Sequence, residues 1–566
     1  YLDSQWAWSE ALYNEKALKV LPEQGLALIP FSGSVSALQL LDISTESEGK
    51  LTLRGKIENA SASRRATVID KTLISITQEQ LLTADIANRD LPVIQSEVLL
   101  AWPVDRVAVS GDYLLQISTG NAWSAQTASI KVSKVSDENT ILHEIELASG
   151  TITDVSVNGT RLAVLRRVPL ASQDSTNAYA DVGTARIAAC IAYVPYLGGL
   201  GNMVLDIYDL STLPALKKPA SVQVDLSTDA WWETSNLNWL TPTLLGTVVQ
   251  RTSAADSFIR PIITPIVFKP AVVSASLSPL GLIKSSVVRP LPNRTPKNTS
   301  LQVFDVSSLV APAALPPVEV ATSSNTKISV TAAGEGLFVL GFGRASERIK
   351  FPQPEVDPVR GNNLVSKLIY FPESQGMFRY THNLAVIDFT NPTKPVKNES
   401  IDLPGRLFGL GSIQRSGFIA YTESCSTDAA GNVSREIQAT AVDGKDGYLV
   451  ASLPVQRSSR LAALGSSVFV CTDGMLTSHY LTEGGNFANL APVGLKAQPD
   501  ALRPLGGALF ASQGLNLSRV SWPIEGPKVE TAALGYSANV NHLVIAADGT
   551  VVIPSGPYGV LRLFGS

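Results

Sequence analysis

Apolar residues along this chain come in short alternating bursts, and each burst stops at a turn residue. The stretch LAVIDFTNPTKP (384–395) shows the plan: an apolar run reaches Asp388 and breaks at Asn391-Pro392. Similar wording recurs as LQLLDIS (38–44), LLTADIAN (81–88), VLDIYDLS (204–211) and LQVFDVSSL (301–309). Each run meets an Asp (Asp42, Asp85, Asp209, Asp305, Asp388) with Ser, Thr or Asn close behind. A carboxylate there can accept hydrogen bonds from N–H groups of the following turn, which fixes where the strand stops. A repeat of about 40–50 residues carrying four short strands is the signature of propeller blades. Helical periodicity is weak throughout.

The pattern divides into ten units, each with strands A to D. Units 1 (17–59) and 2 (60–100) lead into unit 3 (101–149), the clearest: VDRVAVSG, DYLLQIST, ASIKVSKVS and ILHEIELA. Its first two strands meet at a tight Ser110-Gly111-Asp112 turn, as a hairpin requires. Units 7 (405–456), 8 (457–498) and 9 (499–535) keep the plan, with Gly-Ser or Gly-Gly turns at 465–466 and 506–507. Unit 10 reads as incomplete, offering HLVIAADG, TVVIPSG and YGVLRLF before Ser566. An open edge leaves backbone groups unpaired. The segment WAWSEALYN (6–14) is therefore expected to supply a strand and close the ring; an N-terminal helix or a tail is the other reading. The expected fold is all-β: a large β-propeller of about eight to ten four-stranded blades, one domain over 1–566. Two smaller propellers are the alternative, but no Gly/Ser-rich or charged linker divides the chain.

Units 4, 5 and 6 are interrupted by insertions at 168–202, 252–300 and 344–383, each between strands B and C. Ordinary connections run to about 4–6 residues, and much longer ones tend to be functional or disordered. In an up-and-down blade the B–C and D–A connections lie on one face, so the three insertions are expected side by side there. Their composition is not that of disordered chain. They carry Tyr193 and Tyr196, then Ile262, Ile263, Ile266 and Phe268, then Phe351, Tyr370 and Phe371. Such segments pack on the ring, on each other or on a partner. Trp231-Trp232, at the D–A junction between units 4 and 5, is expected on the same face. Adjacent indoles there either serve an interface or pin the insertions to the ring. Together these side chains form the expected partner-binding set.

Composition narrows the partner. The 566 residues are 45% apolar and 17% charged, which suits a globular chain with a large core. A net charge of −4 with scattered basic residues argues against nucleic acid. Three cysteines (Cys190, Cys425, Cys471) do not make a disulfide framework; one pair or free thiols fit equally. No apolar run reaches the roughly 20 residues that span a bilayer. The nearest, 262–283, is broken by Pro265, Lys269, Pro270 and Pro279. Asn-X-Ser/Thr triplets at Asn59, Asn158, Asn293, Asn298, Asn398, Asn432 and Asn516 arise readily in a Ser/Thr-rich chain and do not prove glycosylation. Low lysine content and Ser/Thr/Asn-rich turns point to export, and a first residue, Tyr1, that is not Met fits either a removed leader or a trimmed chain. A periplasmic, outer-membrane-associated or extracellular bacterial protein is expected, with peripheral membrane association open.

His143 falls on an outer strand, His382 in an insertion, His479 on a C strand and His542 on an A strand, so they are not expected to converge as in four-His iron propellers. No metal, cofactor or catalytic residue is expected. GLGSIQRSG (409–417) lacks the context of a phosphate loop, and no GxSxG elbow is present. DGKDG (443–447) reads as a hairpin turn, and DISTESEG (42–49) as a solvated turn or a weak calcium loop.

The repeated wording, in VIDFTNPTKP (386–395), VFDVSSL (303–309) and LLDIS (40–44), resembles that of secreted bacterial β-propeller proteins with LVIVD-type repeats, distant cousins of WD40 propellers. The resemblance spans the repeats but not the insertions, and the WD dipeptide is missing. It implies a propeller at a cell surface or in the envelope and carries over no catalytic residues. The expected function is a non-catalytic binding or scaffold protein of the bacterial envelope that engages a protein through the insertion-bearing face. The alternative is a carbohydrate-binding or carbohydrate-active propeller with its site in the ring mouth.

Overall fold

The computed structural model describes residues 8–565 except 13, 33–35, 45–48, 60–62, 78, 120–127, 148–149, 169–201, 225, 227–229, 254–297, 322–325, 349–377, 428–432, 444, 524–525 and 535–539. The described chain is all-β and propeller-like, a succession of antiparallel sheets, most of them four-stranded. Its helical pieces are single 3-10 turns such as Leu210–Thr212 and Val540–His542. Among the described residues no helix is long and apolar enough to cross a membrane.

Ten sheets follow one another along the chain: sheet 1 (19–59), 2 (65–99), 3 (106–147), 4 (151–224), 5 (230–321), 6 (326–403), 7 (406–455), 8 (460–494), 9 (501–533) and 10 (544–563). Strands pair in chain order, except that in sheets 5, 6 and 8 an edge strand is split into two segments that pair with the same neighbour. Sheet 3 runs Arg106–Ser110, Tyr113–Ser118, Ala128–Lys134 and His143–Leu147, and Ser110 pairs with Tyr113 across the expected two-residue turn. Gly506 and Gly507 turn the hairpin of sheet 9 with φ of 58° and 76°, values a tight hairpin demands and side chains resist.

The turn aspartates act as expected at four of the five repeats. Asp85, Asp209, Asp305 and Asp388 accept the N–H of the residue two positions on (Ala87, Ser211, Ser307, Thr390) at 2.7–2.9 Å. Asp42 differs: its carboxylate is taken by Arg54 at 2.7 Å and Arg89 at 2.5 Å. Those two guanidiniums use oxygens that a calcium ion would need. Asp443 accepts the N–H groups of Lys445 and Asp446, so DGKDG is a hairpin turn.

The core lies between sheets, and side-chain parity decides which neighbour each residue meets. In sheet 4, Leu162 and Val164 pack toward sheet 3, while Ala163 and Leu165 pack toward sheet 5. In sheet 8, Val468 and Val470 meet sheet 7, while Phe469 and Cys471 meet sheet 9. Such strands are buried on both faces, which is why they read as continuous apolar runs. Sheets 5 and 6 share Val248, Leu301, Phe338 and Leu340; sheets 6 and 7 share Val339, Val386, Leu407 and Ala420. Sheets 9 and 10 share Phe510, Leu517, Val551 and Ile553. The last sheet then packs on the third: Ala546 and Val552 join Val104, Val107 and Leu114, and Val104 bridges Gly556. Sheets 1 and 2 share a cluster of their own, Leu26, Leu28, Leu38 and Leu40 against Val68, Leu73 and Leu82.

Several expectations need correction. The closing role of 6–14 is not what its described part does: Trp8 bridges Ser32 of sheet 1 in both directions at 2.7 Å. Glu10–Leu12 is a 3-10 turn, with Glu10 3.7 Å from Arg64. The insertions are shorter than 168–202, 252–300 and 344–383. Their flanks continue as the strands Arg161–Val168, Asn202–Asp209, Leu244–Ser253, Asn298–Asp305, Leu337–Arg348 and Phe378–Asp388. Backbone pairing needs no apolar side chains, so these ladders outrun the apolar pattern. His382 therefore lies on a strand and not in an insertion, and His542 lies in a turn ahead of Val544–Ile545 and not on a strand.

Candidate functional site

Sheets 4, 5 and 6 carry their long insertions between second and third strands, and the flanking pairs stay closed up to the insertion edge. Val168 pairs with Asn202, Arg251 with Asn298, and Arg348 with Phe378. The insertions therefore leave from the same end of three consecutive sheets. Of the expected partner-binding residues, Tyr193, Tyr196, Ile262, Ile263, Ile266, Phe268, Phe351, Tyr370 and Phe371 lie outside the described residues. Trp231 and Trp232 fall in the first strand of sheet 5, Ala230–Thr234, where Trp231 pairs with Thr252.

Trp232 is 1% exposed and packs with Leu165, Leu205, Leu245 and Phe304. The Arg167 guanidinium stands over its ring at 4.3 Å, and Arg167 Nη2 donates to the Trp232 carbonyl at 2.9 Å. This indole anchors sheet 5 to sheet 4. Asp154 of sheet 4 accepts the Leu237 N–H at 2.6 Å, and Trp239 Nε1 donates to Ser156 Oγ at 2.9 Å, which completes the same seam. Burial raises the Asp154 carboxyl above its ordinary range against the Leu237 and Val155 N–H groups and the charge of Arg106.

The first strands touch one another: a Cβ built on Gly409 of sheet 7 would meet the Ala463 Cβ of sheet 8 at 2.5 Å. Their leading residues share the insertion-bearing end. There stand Arg106 (sheet 3), Lys327 (sheet 6), Arg406 (sheet 7) and Arg460 (sheet 8), each first or second in its strand, with His542 just ahead of sheet 10. Arg503 is the middle residue of the first strand of sheet 9, and its side chain reaches the Val540 carbonyl of the same end. Sheets 4 and 5 have no such cation at the start of their first strands and carry Asp154 and Glu233 as the fourth residues. Most of these cations meet no carboxylate. Arg106 donates to the Thr153 carbonyl at 3.4 Å, Arg460 to that of Pro499 at 3.3 Å, and Arg503 to that of Val540 at 2.8 Å. Lys327 Nζ stands 4.8 Å over the Tyr380 ring. Arg406 reaches Glu423 at 3.6 Å, but Glu423 is also held by Arg435. Asp105, beside Arg106, is occupied by the N–H and hydroxyl of Thr119, each at 2.8 Å. Burial, then the charges of Arg106 and Arg503, push His542 down to about 4 against Asp105, so its imidazole is neutral at neutral pH.

Sequence reasoning missed this arc. Its signal was present: in sheets 7 and 8 the first residue of the first strand is Arg, and in sheet 6 the second is Lys. Among the described residues no three His, Cys, Asp or Glu side chains are grouped to hold a metal ion. No protein-family model matches the chain, and no curated protein matches it.

Proposed function

We propose that sheets 3 to 10 close into one ring of eight blades, and that the protein is a non-catalytic binding protein engaging a protein partner at the insertion-bearing end. One observation carries the binding role: three consecutive sheets keep closed strand pairs on both sides of long insertions, all at one end. A ladder that closes on itself does not need the chain beyond it. Insertions of this length rich in Ile, Val, Pro and aromatic residues therefore serve something other than the sheets that carry them. The ring is supported by the packing series, which runs from sheet 3 to sheet 10 and returns to sheet 3. Placement in the bacterial cell envelope rests on composition and on the LVIVD-like wording. Replacing 258–292 by a short Gly/Ser linker tests the role, because Arg251 and Asn298 already meet across the gap. The shortened chain should keep its circular dichroism spectrum and melting temperature. It should lose the envelope proteins that the full chain captures by cross-linking. Capture of the same set by both chains would refute the insertion face as the interface.

A further inference from the structure

We propose that the first-strand arc at the insertion-bearing end is a binding site for carboxylate groups, and that the partner presents an acidic peptide segment to it. This rests on the partner reading above. Going round the ring as proposed, Lys327, Arg406, Arg460, Arg503 and Arg106 place a cation on five sheets, interrupted only by the neutral His542. The first strands of sheets 4 and 5 carry Asp154 and Glu233 instead, and Asp154 acts on Arg106 at the edge of the arc.

The Arg460 and Arg503 guanidiniums donate only to carbonyl oxygens, while Arg106 feels the Asp154 and Asp105 carboxylates without a hydrogen bond to either and Arg406 shares Glu423 with Arg435. Planar forks of this kind match carboxylates. Arg106 and Arg503 are half-buried and belong to no ion pair among the described residues, and the Arg106 Nε is buried without a hydrogen-bond partner. Desolvating a charge without pairing it is costly, and a carboxylate brought by a partner relieves that cost. Lys327, Arg406 and Arg460 are exposed and can steer an anion inward. The sites lie on consecutive sheets and not at one point, which suits several carboxylates on one extended segment better than one small ion.

The test is fluorescence anisotropy of a labelled octaglutamate peptide on the full chain at low ionic strength, with octaglutamine as control. We expect saturable, salt-sensitive binding of octaglutamate alone. The double variant Arg406→Gln/Arg460→Gln should weaken it about tenfold, the effect of two exposed charge contacts. Lys394→Glu, in the turn at the opposite end, should leave it unchanged. Unaltered melting temperatures exclude a folding defect in either variant. Equal losses in both variants would reduce the binding to general charge attraction and overturn the site. Competition by millimolar inorganic phosphate would overturn the peptide class in favour of a small-oxyanion site. Absence of octaglutamate binding would overturn the inference itself, while the partner reading would still stand or fall on the 258–292 replacement.

Discussion

Single residues set where each strand ends and how sheets are fastened, and both roles can be measured. At Asp388, the Arg415 guanidinium, 3.0 Å away, holds the carboxyl down to about 2 against the cost of burial, with help from the Thr390 hydroxyl and N–H. A carboxylate whose pKa is lower folded than unfolded adds stability above its unfolded value of 3.8 and loses it as pH falls toward 2. Asp388→Asn should therefore melt at a lower temperature than the parent at pH 6, and the gap should shrink between about pH 4 and pH 2. A gap that stays constant through that window would mean the carboxylate charge is not what counts. Trp232 is a fastening of another kind. Trp232→Ala removes a buried indole and the surface under Arg167, and should cost about 3–5 kcal/mol in denaturant unfolding. A loss below about 1 kcal/mol would mean that the seam between sheets 4 and 5 collapses to fill the space.

At the scale of elements, local pattern and local structure agree wherever the sequence alternates cleanly. Sheet 3 has its four strands where the alternation puts them, and the Asp turns can be read from a few residues each. Two things were not legible. Strand ends beside the insertions extend past the apolar pattern, since a ladder continues on backbone hydrogen bonds alone. The partner of the N-terminal segment was hidden because pairing across the chain leaves no local mark. Trp8 is bonded to Ser32, and Glu10 stands beside Arg64. Deleting 6–14 should consequently raise hydrogen exchange in 19–59 and leave 544–563 as protected as before. Faster exchange in 544–563 would restore the closing role first expected of this segment.

For the whole molecule, what matters is which sheets have two neighbours. Sheets 3 to 10 bury central strands on both faces, and each residue parity belongs to a different neighbour. Sheets 1 and 2 bury one face against each other, and much of the rest is open: Ile69 is 59% exposed and Leu99 63%. Nothing in the sequence separates these cases, because VIQSEVL (93–99) carries the same kind of apolar residues as a covered strand and yet lies exposed along its length. Two faces bury about twice the apolar area of one, and stability follows that area at about 25 cal/mol per Å². The first two sheets should thus form the weaker cooperative unit, and their loss should not open the proposed ring. Residues 101–566 expressed alone retain Trp102, Val104 and the whole series of clusters from sheet 3 round to sheet 10. They should melt in one cooperative transition near that of the full chain, whereas the full chain should show an additional, earlier transition from 19–99. If instead the ring has ten members, removing two blades leaves two unpaired sheet faces. The truncated chain would then aggregate or melt without cooperativity, and the eight-sheet ring would be wrong.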